Sequence, residues 1–453
     1  MPPDETLPSP TRREFVATTA TVGLGAVVRY GQGDDRGSQA VESEPPFAAP
    51  PMDRVRIGFV GVGGMGMVHV ENLLHIKGAE IHAVCDIVEA KVSVVQDKVV
   101  AAGFPRPAGY SRGPRDFERM CQEAELDLVY TATPWEWHVP VCLAAMRAGK
   151  HAATEVPAAY TVDDCWDLVE TAEKERRHCV MMENCCYGRS EMLLLNLVRK
   201  GLFGELLHAE GGYLHDLRAI KFSTEGEGLW RRAHAMRRNG NLYPTHGLGP
   251  LAQCMDINRG DRLEYLVSMS SNPRGLALYA AEHFPDGDPR RKETFRLGDV
   301  NTALIRTANG RTIYLAHNCD NPRPYSRITM MQGTRGLFSG YPDRLHIEGR
   351  SPEHKWETLE AYYAEYEHPL WKSEDVRNET GGHGGMDFLE DRRLIECLLA
   401  GEPTDQDVYD AAAWSVITPL TERSVANRSR PMDVPDFTRG RWKTTPPLGI
   451  VGG

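Results

Sequence analysis

The 453-residue sequence lacks the patterns that mark several common classes of protein. Its ten cysteines are scattered and include no Cys-x-x-Cys pair, so neither a zinc pattern nor a disulfide framework is evident. It contains no Gly-x-Ser-x-Gly nucleophile turn and no metal-ligand cluster, and we predict no metal. Acid pairs are common, but none stands in a context that marks a two-carboxylate glycosidase.

Basic patches and long apolar runs are also missing. The formal net charge at pH 7 is −11, which argues against nucleic acid or an anionic membrane as a partner. No segment is long and apolar enough to span a membrane. With 41% hydrophobic and 25% charged residues, the composition is typical of a soluble globular protein, and the length suits two domains. A neutral or weakly charged small molecule is the expected ligand.

The N-terminus resembles an export signal. Arg12 and Arg13 precede an uncharged stretch over residues 15–28, which has the length of a signal-peptide apolar region. A twin arginine in this position is typical of the Tat pathway, so we predict a Tat-type signal over residues 1–30 and a periplasmic or extracellular protein. A disordered tail is the alternative. Residues 31–53, rich in Gly, Ser, Pro and acids, are predicted to be a linker.

The most informative segment is a glycine-rich turn that follows the apolar run Val55–Val60. Gly61, Gly63 and Gly66 have Gly-x-Gly-x-x-Gly spacing, and Asp86 ends the next apolar run. Glycine there permits a tight turn, a close approach of backbone to a pyrophosphate, and packing of helix on strand. An acid at the end of the second strand can accept the ribose hydroxyls and would repel a 2′-phosphate. The unit therefore predicts bound NAD, with an empty Rossmann unit as the alternative.

Short β-rich runs alternate with helical stretches up to residue 184. Strands are predicted at Val55–Val60, Glu80–Cys85, Leu126–Thr131, His151–Thr154 and Cys179–Glu183. This alternation predicts an α/β fold with a doubly wound parallel sheet, and we assign residues 54–184 to an NAD-binding Rossmann domain. Ligands bind beyond the carboxyl ends of such strands, so the residues that come after each strand are the candidates.

The pattern changes after residue 184. Alternating apolar and polar runs predict strands at His208–Tyr213, Tyr265–Ser270, Thr302–Thr307, Thr312–His317 and Arg327–Gln332. Helices are predicted at Met386–Ala400 and Ala411–Val425. We therefore predict an α+β domain over residues 185–433 with a large, open, mostly antiparallel sheet, and an extended tail over 434–453. Open sheets of this kind commonly pair face to face, which predicts a homodimer or higher homo-oligomer.

Two segments of the first domain carry side chains suited to a ligand. Trp135, Glu136, Trp137 and His138 come after the third predicted strand, where an indole could stack on a sugar or nicotinamide. A buried aromatic cluster is the alternative. Glu155 comes after the next strand and would lie beside the nicotinamide ribose, with a capping or surface glutamate as the alternative.

A third segment, residues 240–249, places a phenol, a hydroxyl and an imidazole between glycines. Tyr243 and His246 are residue types suited to moving protons at a carbohydrate, and a core histidine is the alternative. Arginines at 231, 232, 237 and 238 stand just upstream, where a solvated face and a substrate contact are equally good interpretations. Tyr213 ends a strand that could border the nicotinamide, and Tyr325 lies in a loop typical of an exposed rim. His383 stands between glycines and suits helix capping as well as catalysis.

These residues together resemble glycoside hydrolase family 109, within the glucose-fructose oxidoreductase and inositol dehydrogenase superfamily. The resemblance rests on Trp135-Glu136-Trp137-His138, on Glu155-Val156-Pro157, on Asn241 to His246, and on Gly382 to Asp387. The superfamily usually has Glu-Lys-Pro, with a catalytic lysine, where this sequence has Glu155-Val156-Pro157.

The resemblance implies two sets of contacts. Those with NAD comprise Gly64, Met65, Asp86, Trp135, Glu136, Trp137, His138, Glu155, Val156 and Asn184, in addition to Gly61, Gly63 and Gly66, which the glycine motif itself predicts. Those with substrate comprise Tyr213, Arg232, Tyr243, Pro244, Thr245, His246 and Tyr325. Tyr243 and His246 are the expected proton-transfer residues.

The resemblance also implies an activity, namely NAD-dependent, retaining hydrolysis of terminal α-N-acetylgalactosamine. The implied route is transient oxidation at C3, elimination across C1 and C2, addition of water and re-reduction, an exception to two-carboxylate hydrolysis. Two alternatives remain: a periplasmic NAD-dependent sugar oxidoreductase, and a non-catalytic sugar-binding protein with structural NAD.

Overall fold

The computed structural model describes residues 47–373 and 382–451. The predicted Tat-type signal and most of the predicted linker lie outside these residues. All ten cysteines lie inside them, and each is buried as a free thiol. Within the two described ranges, no helix has both the length and the apolar character that crossing a membrane requires.

The first sheet contains six parallel strands. They are β1 (Val55–Val60), β2 (Ala79–Cys85), β3 (Ala108–Tyr110), β4 (Leu128–Thr131), β5 (His151–Thr154) and β6 (Cys179–Met181). Their order is β3-β2-β1-β4-β5-β6, so the direction of winding reverses between β1 and β4. The predicted doubly wound parallel sheet is confirmed. The sequence pattern misses β3, because its first two residues are exposed and form no apolar run.

Helices cover both faces of this sheet. The first five are α1 (Gly64–Leu73), α2 (Glu89–Ala101), α3 (Asp116–Glu123), α4 (Trp135–Arg147) and α5 (Val162–Glu175). Neighbouring residues of a strand enter different hydrophobic clusters, as Leu128 and Val129 of β4 do, because successive side chains point to opposite faces. Helices α1 and α2 pack on one face and α3 to α5 on the other.

The second sheet is large and mostly antiparallel, as predicted. Its strands are β7 (Leu206–Leu214), β8 (Leu263–Ser270), β9 (Asn301–Thr307), β10 (Thr312–Asn318), β11 (Met330–Gly333), β12 (Gly336–Ser339), β13 (Arg344–Ile347) and β14 (Met432–Asp433). Their order is β13-β12-β11-β7-β10-β9-β8-β14, and β7 with β10 is the parallel pair. Strand β11 begins three residues later than predicted, since Ile328 and Thr329 have positive φ angles of 68° and 48°.

Ten further helices are described. They are α6 (Arg189–Arg199), α7 (Arg218–Lys221), α8 (Gly228–Arg237), α9 (Thr245–Cys254), α10 (Gly275–His283), α11 (Glu360–Tyr366), α12 (Pro369–Lys372), α13 (Met386–Ala400), α14 (Val408–Ser415) and α15 (Ile417–Ala426). The single helix predicted over 411–425 is divided into α14 and α15. Pro419 explains the break, because it cannot donate to the carbonyl of Ser415 and its ring crowds that carbonyl.

Helix α13 returns to the first sheet from the C-terminal part of the chain. Phe388, Leu394, Ile395 and Leu398 enter the same cluster as the core of α1 and α2. One face of the first sheet is therefore covered by helices from both ends of the described chain.

The C-terminal tail differs from the predicted extended segment. It forms short 3₁₀ turns at Arg441–Lys443 and Gly449–Val451. Leu448 and Ile450 are buried, and His368 Nε2 lies 2.7 Å from the Ile450 carbonyl oxygen. Apolar contacts hold the tail down although its composition favours an extended chain.

In the glycine turn between β1 and α1, a side chain would clash with neighbouring atoms at two of the glycines and would have room at a third. Gly61 has a φ of +82°, and a Cβ there would lie 2.8 Å from Thr133 Cγ2. A Cβ at Gly66 would lie 2.1 Å from the carbonyl oxygen of Gly61, whereas one at Gly64 would meet nothing within 4 Å. Two of these glycines are thus required by the protein itself.

We expect Gly66→Ala to lower the free energy of unfolding by about 1–3 kcal/mol, because the added methyl group must displace backbone. Gly64→Ala is the matched control in the same helical turn and should leave that free energy near the wild-type value. Urea denaturation of cofactor-free protein measures both. Equal losses in the two variants would contradict the close contact at Gly66.

Candidate active site

The carboxyl ends of the parallel strands meet at one edge of the first sheet. Residues that come after different strands are therefore brought together there. They are the glycine turn after β1, Asp86 after β2, Thr133 after β4, Glu155 after β5 and Asn184 after β6. The fold thus brings together residues that the sequence predicts separately as cofactor contacts.

The backbone at the start of α1 is open where a pyrophosphate is expected. A Cβ at Gly64 would have no neighbour within 4 Å, and one at Gly63 would meet only Lys91 Nζ at 4.0 Å. Met65 lies in the same first turn. A helix N-terminus with open backbone and a cation nearby is a favourable site for phosphate, so these residues fit a dinucleotide.

Asp86 holds the loops on both sides of it. Its Oδ2 accepts a hydrogen bond from the Val62 amide at 3.0 Å, and its Oδ1 accepts one from the Val88 amide at 2.8 Å. A carboxylate has about four acceptor sites, so these bonds leave room for ribose hydroxyls. Asp86 is therefore anchored in place for its predicted role.

The first turn of α4 directs its side chains differently. Trp137 packs against α3, and Glu136 is exposed. His138 is buried, with its ring nitrogens each 2.8 Å from a carbonyl oxygen, one of Thr133 and one in the loop after β5. The His138 ring ties these two loops together, and Trp135 packs among the aromatic rings described below.

Glu155 is held by a buried network. Its Oε1 lies 2.8 Å from His69 Nε2, and His69 Nδ1 lies 2.9 Å from Asp391 Oδ2. Asp391 also accepts hydrogen bonds from Asn72 Nδ2 at 2.9 Å and from the Tyr130 hydroxyl at 3.1 Å. Burial alone would lower the pKa of His69, but Asp391 and Glu155 raise it well above its ordinary value. The imidazole therefore carries a positive charge between two carboxylates.

Val156 points away from this polar network. It is 3% exposed and belongs to the hydrophobic core on the face covered by α4 and α5. The position next to Glu155 therefore supplies packing and no ionisable group.

Asn184 has a carboxylate partner on α13. Its Nδ2 donates to Asp387 Oδ1 at 2.6 Å, and His383 Nδ1 lies 2.8 Å from Asp387 Oδ2. The hydrogen bond with Asp387 is the main reason that the pKa of His383 is raised. His383 thus pairs with the buried Asp387 at the start of α13, and its ring is half exposed.

A second carboxylate–imidazole pair lies beside Asn184. Glu183 is fully buried, and its Oε1 lies 2.7 Å from His246 Nδ1. Burial would raise the pKa of Glu183, but the charge and hydrogen bond of His246 hold it below its ordinary value. His246 Nε2 has no hydrogen-bond partner among the described residues. The imidazole is oriented from one side and available on the other.

Aromatic rings surround His246. The Tyr243 ring lies 4.8 Å from the His246 ring, edge to face, and the Tyr213 ring lies 5.4 Å from it. The Tyr213 hydroxyl is 3.0 Å from His215 Nδ1, and the Tyr325 ring lies 5.0 Å from the His215 ring. Tyr325 is 37% exposed, as predicted for a rim residue. Four of the predicted substrate residues are therefore neighbours.

The structure distinguishes two adjacent arginines. The guanidinium carbon of Arg231 lies 5.1 Å from the Trp135 ring centre and 5.1 Å from that of Tyr243. Arg232, the predicted substrate contact, instead has its Nε 3.3 Å from Glu293 Oε2. Arg231 is therefore the arginine that packs against the aromatic wall, which consists of Trp135, Tyr213, Tyr243 and Tyr325.

Pro244 and Thr245 are buried at the start of α9. Pro244 is the N-cap residue of α9 and Thr245 its first residue, so the first turn of the helix places His246, the partly exposed member of the three.

Three groups could also provide metal ligands. Atoms of Glu183, Cys185 and His246 lie within 4.8 Å of one another. His246 Nδ1 already bonds to Glu183, so a cation would have to displace that hydrogen bond.

Sequence reasoning misses three residues of this site, and it names Arg231 only as one of four candidate arginines. Glu183 stands next to a predicted residue but carries no motif of its own. His69 and Asp391 do have a signal, since helical spacing places each on the apolar face of its helix. A charged residue on such a face needs a partner, although the pattern does not say which.

Family models match both parts of the chain. Residues 187–444 match the model described as "Glycosyl hydrolase 109, C-terminal domain", and residues 55–183 match "Oxidoreductase family, NAD-binding Rossmann fold". The chain is 49% identical over 441 residues to "Glycosyl hydrolase family 109 protein" of Solibacter usitatus, covering 96% of this chain and 99% of the relative.

The chain belongs to glycosyl hydrolase family 109.

A second relative of this family 109 protein is "Alpha-N-acetylgalactosaminidase" of Shewanella oneidensis. It is 48% identical over 410 residues, covering 89% of each chain. The resemblance seen in the sequence is thereby confirmed.

Solved structures show the same fold. Levoglucosan dehydrogenase in complex with NADH and L-sorbose has a TM-score of 0.66 at 18% identity, covering 85% of this chain and all (100%) of that one. Scyllo-inositol dehydrogenase from Lactobacillus casei with NAD(H) and scyllo-inositol has a TM-score of 0.60 at 14% identity, covering 84% and 99%. With the matching Rossmann model and the open glycine cradle, NAD is the cofactor of the family 109 protein.

The pKa of Glu183 gives a prediction for stability. Its folded pKa lies below the ordinary value of 4.5, so the ionised group contributes stability above that pH and loses it as pH falls through the folded pKa. We expect the difference in unfolding free energy between wild type and Glu183→Gln to be constant near neutrality and to shrink below about pH 4.5. Urea denaturation across that range measures it, with exposed Glu89→Gln as the control for charge alone. A difference that stays constant into acid would contradict the assigned pairing.

Proposed function

We propose that this chain hydrolyses terminal α-linked N-acetylgalactosamine and retains NAD through each turnover. One observation carries the proposal. The Tyr243 hydroxyl and His246 Nε2 lie on neighbouring rings, and neither has a hydrogen-bond partner among the described residues. Both adjoin the sheet edge where the cofactor residues gather. The name of the Shewanella oneidensis relative supports the choice of sugar.

When bound, NAD supplies an acceptor for the hydride of sugar C3 and returns that hydride at the end of the cycle. As the ketone forms, the O3 hydroxyl gives its proton to a base, and O3 regains a proton when the hydride returns to C3. The C3 ketone acidifies the proton on C2, so a base can remove it while the glycosidic oxygen leaves C1 with a proton donated by an acid. Water then adds its oxygen to C1, and a proton returns to C2. The sum is one glycoside and one water converted to sugar and alcohol.

His246 is the base that we assign to the C2 proton. Glu183 fixes the ring through Nδ1 and stabilises the imidazolium that forms, while Nε2 can accept the proton. Tyr243 is suited to donate a hydrogen bond to a sugar oxygen. Burial raises the pKa of Tyr243 well above its ordinary value, with Arg231 opposing that rise, so its hydroxyl stays neutral.

Buried Val156 separates this route from simple alcohol oxidation. The related oxidoreductases usually carry a catalytic lysine at this position, whereas this chain supplies a core side chain. A periplasmic sugar oxidoreductase remains the second candidate, because the fold of the solved neighbours is that of dehydrogenases.

A single assay tests the proposal. Purified protein is incubated with nitrophenyl α-N-acetylgalactosaminide and without added NAD. We expect nitrophenol to be released with no accumulation of NADH, and in deuterated water we expect deuterium at C2 of the product. Accumulation of NADH with oxidised sugar would favour the oxidoreductase. If neither glycosides nor free sugars react, the result would favour a binding protein.

Variants locate the activity. His246→Ala should lower turnover by about 10²–10⁴-fold and retain NAD, as expected for loss of a general base. Arg231→Lys should weaken turnover because it removes the planar group from the aromatic wall. Arg232→Lys is the matched control and should retain activity, since that side chain pairs with Glu293.

We also propose that the chain forms homo-oligomers through the open face of the second sheet. Tyr265 and Met269 on β8 and Leu304 on β9 are 37%, 64% and 54% exposed and lie on one face. Exposed apolar groups that adjoin in this way favour association. We expect Met269→Lys with Leu304→Lys to reduce the particle mass measured by light scattering. Leu278→Lys, 55% exposed on α10, is the control, and unchanged mass in the double variant would reject this face.

A further inference from the structure

Helix α13 buries three acidic side chains at the cofactor edge. Asp387, Glu390 and Asp391 are 0%, 2% and 0% exposed. Their spacing places all three on one side of the helix, facing α1 and the end of β6. Carboxylates are rarely buried without a partner, so the partners of this group indicate what it does.

Asp391 connects α13 to the end of β5 through one imidazole. His69 stands between Asp391 and Glu155, with Nδ1 2.9 Å from Asp391 Oδ2 and Nε2 2.8 Å from Glu155 Oε1. A neutral imidazole donates from one nitrogen only, whereas a carboxylate only accepts. Burial raises the pKa of Asp391, and the charge and hydrogen bond of His69 together with the hydrogen bond of Asn72 oppose that rise. With both acids ionised, bonds to the two carboxylates require the doubly protonated ring.

Glu155 has little freedom as a result. Its Oε1 is committed to His69, and its Oε2 accepts from the Val156 amide at 3.1 Å. The ring of His69 is 1% exposed and cannot move without breaking the bonds to Asp391. The orientation of this carboxylate is thus set from α13.

We propose that His69 is a positioning residue that, fixed by Asp391, holds the Glu155 carboxylate in place for the cofactor. The inference rests on the placement of NAD beside Glu155 that belongs to the proposed function. It adds a role for α13, which closes the cofactor site from outside the Rossmann unit.

Other titratable groups facing His69 do not replace this pairing. The Tyr130 hydroxyl lies 3.0 Å from His69 Nδ1, and burial raises the pKa of Tyr130 well above its ordinary value. Asp387 accepts a hydrogen bond from Asn184 and does not pair with His69. In the part of the chain that the structure describes, neither oxygen of Glu390 has a hydrogen-bond partner, and burial with the nearby Asp391 charge raises its pKa well above normal. Burial thus favours the uncharged form of Glu390, and Glu390→Gln is a nearly isosteric control.

The experiment measures bound NAD in the holoenzyme between about pH 6 and pH 9, where an ordinary histidine loses its charge. Protein is passed through a desalting column, and the cofactor still bound is released by acid and quantified. We expect wild type and Glu390→Gln to retain NAD across the range. His69→Gln should release it about 10- to 100-fold faster at every pH, as for loss of a charged hydrogen bond.

Asp391→Asn provides the result that a merely structural role would not give. Without the Asp391 charge, burial lowers the pKa of His69, so the bond to Glu155 weakens as pH rises. The Asp391→Asn variant should therefore release NAD faster as pH rises, while the rate of release from wild type stays constant. In wild-type protein labelled with ¹⁵N-histidine, the His69 ring should keep the imidazolium shift above about pH 8.

The outcomes separate the two proposals. Titration of wild-type His69 near about 6.5, the ordinary value, would overturn the positioning role, and so would unchanged NAD release in His69→Gln when Glu155→Gln releases NAD rapidly. Unchanged release in Glu155→Gln as well would instead reject the placement of NAD beside Glu155. The measurement on wild type holds even where a variant does not fold.

Discussion

A carboxylate can lie inside a protein only with a partner that compensates for lost water, and this constraint organises the site. Glu183, Asp387 and Asp391 are each fully buried, and each is paired with a residue of the cofactor edge or the aromatic wall. Two of the three acids come from α13. The pairing therefore joins the late part of the chain to the first sheet through directional bonds in addition to apolar packing.

The sequence predicts what depends on local spacing. The glycine turn, Asp86 and most strands are found because short segments with periodic patterns determine them. The bridge from Glu155 to His69 and Asp391 is not found, because its partners are 86 and 322 positions apart. Arg231 and Arg232 show a different limit. Which of two neighbouring arginines meets the aromatic wall depends on how α8 is rotated against it, and composition carries no such information.

The same sheet edge can serve oxidation or hydrolysis. The solved neighbours are dehydrogenases with this fold, yet the chain belongs to a hydrolase family. The Rossmann unit fixes where a dinucleotide lies, and the residues around its reactive end decide which reaction the cofactor serves. In the function that we propose, those residues are an oriented imidazole and a neutral phenol from the second part of the chain. In this proposal the shared fold holds the cofactor, and the residues added around it direct the chemistry.

The central position of β7 has a consequence for synthesis on the ribosome. Leu206–Leu214 pairs on one side with β10 and on the other with β11, and both strands are made later in the chain. Its backbone groups cannot find their sheet partners until residues up to Gly333 have emerged. Pairing across such a long stretch is slow and leaves strand edges exposed to other chains. In the middle of translation the nascent chain is therefore prone to aggregate through this unpaired strand. The first sheet avoids this state, because its strands are synthesised early and pair with strands that are near in sequence.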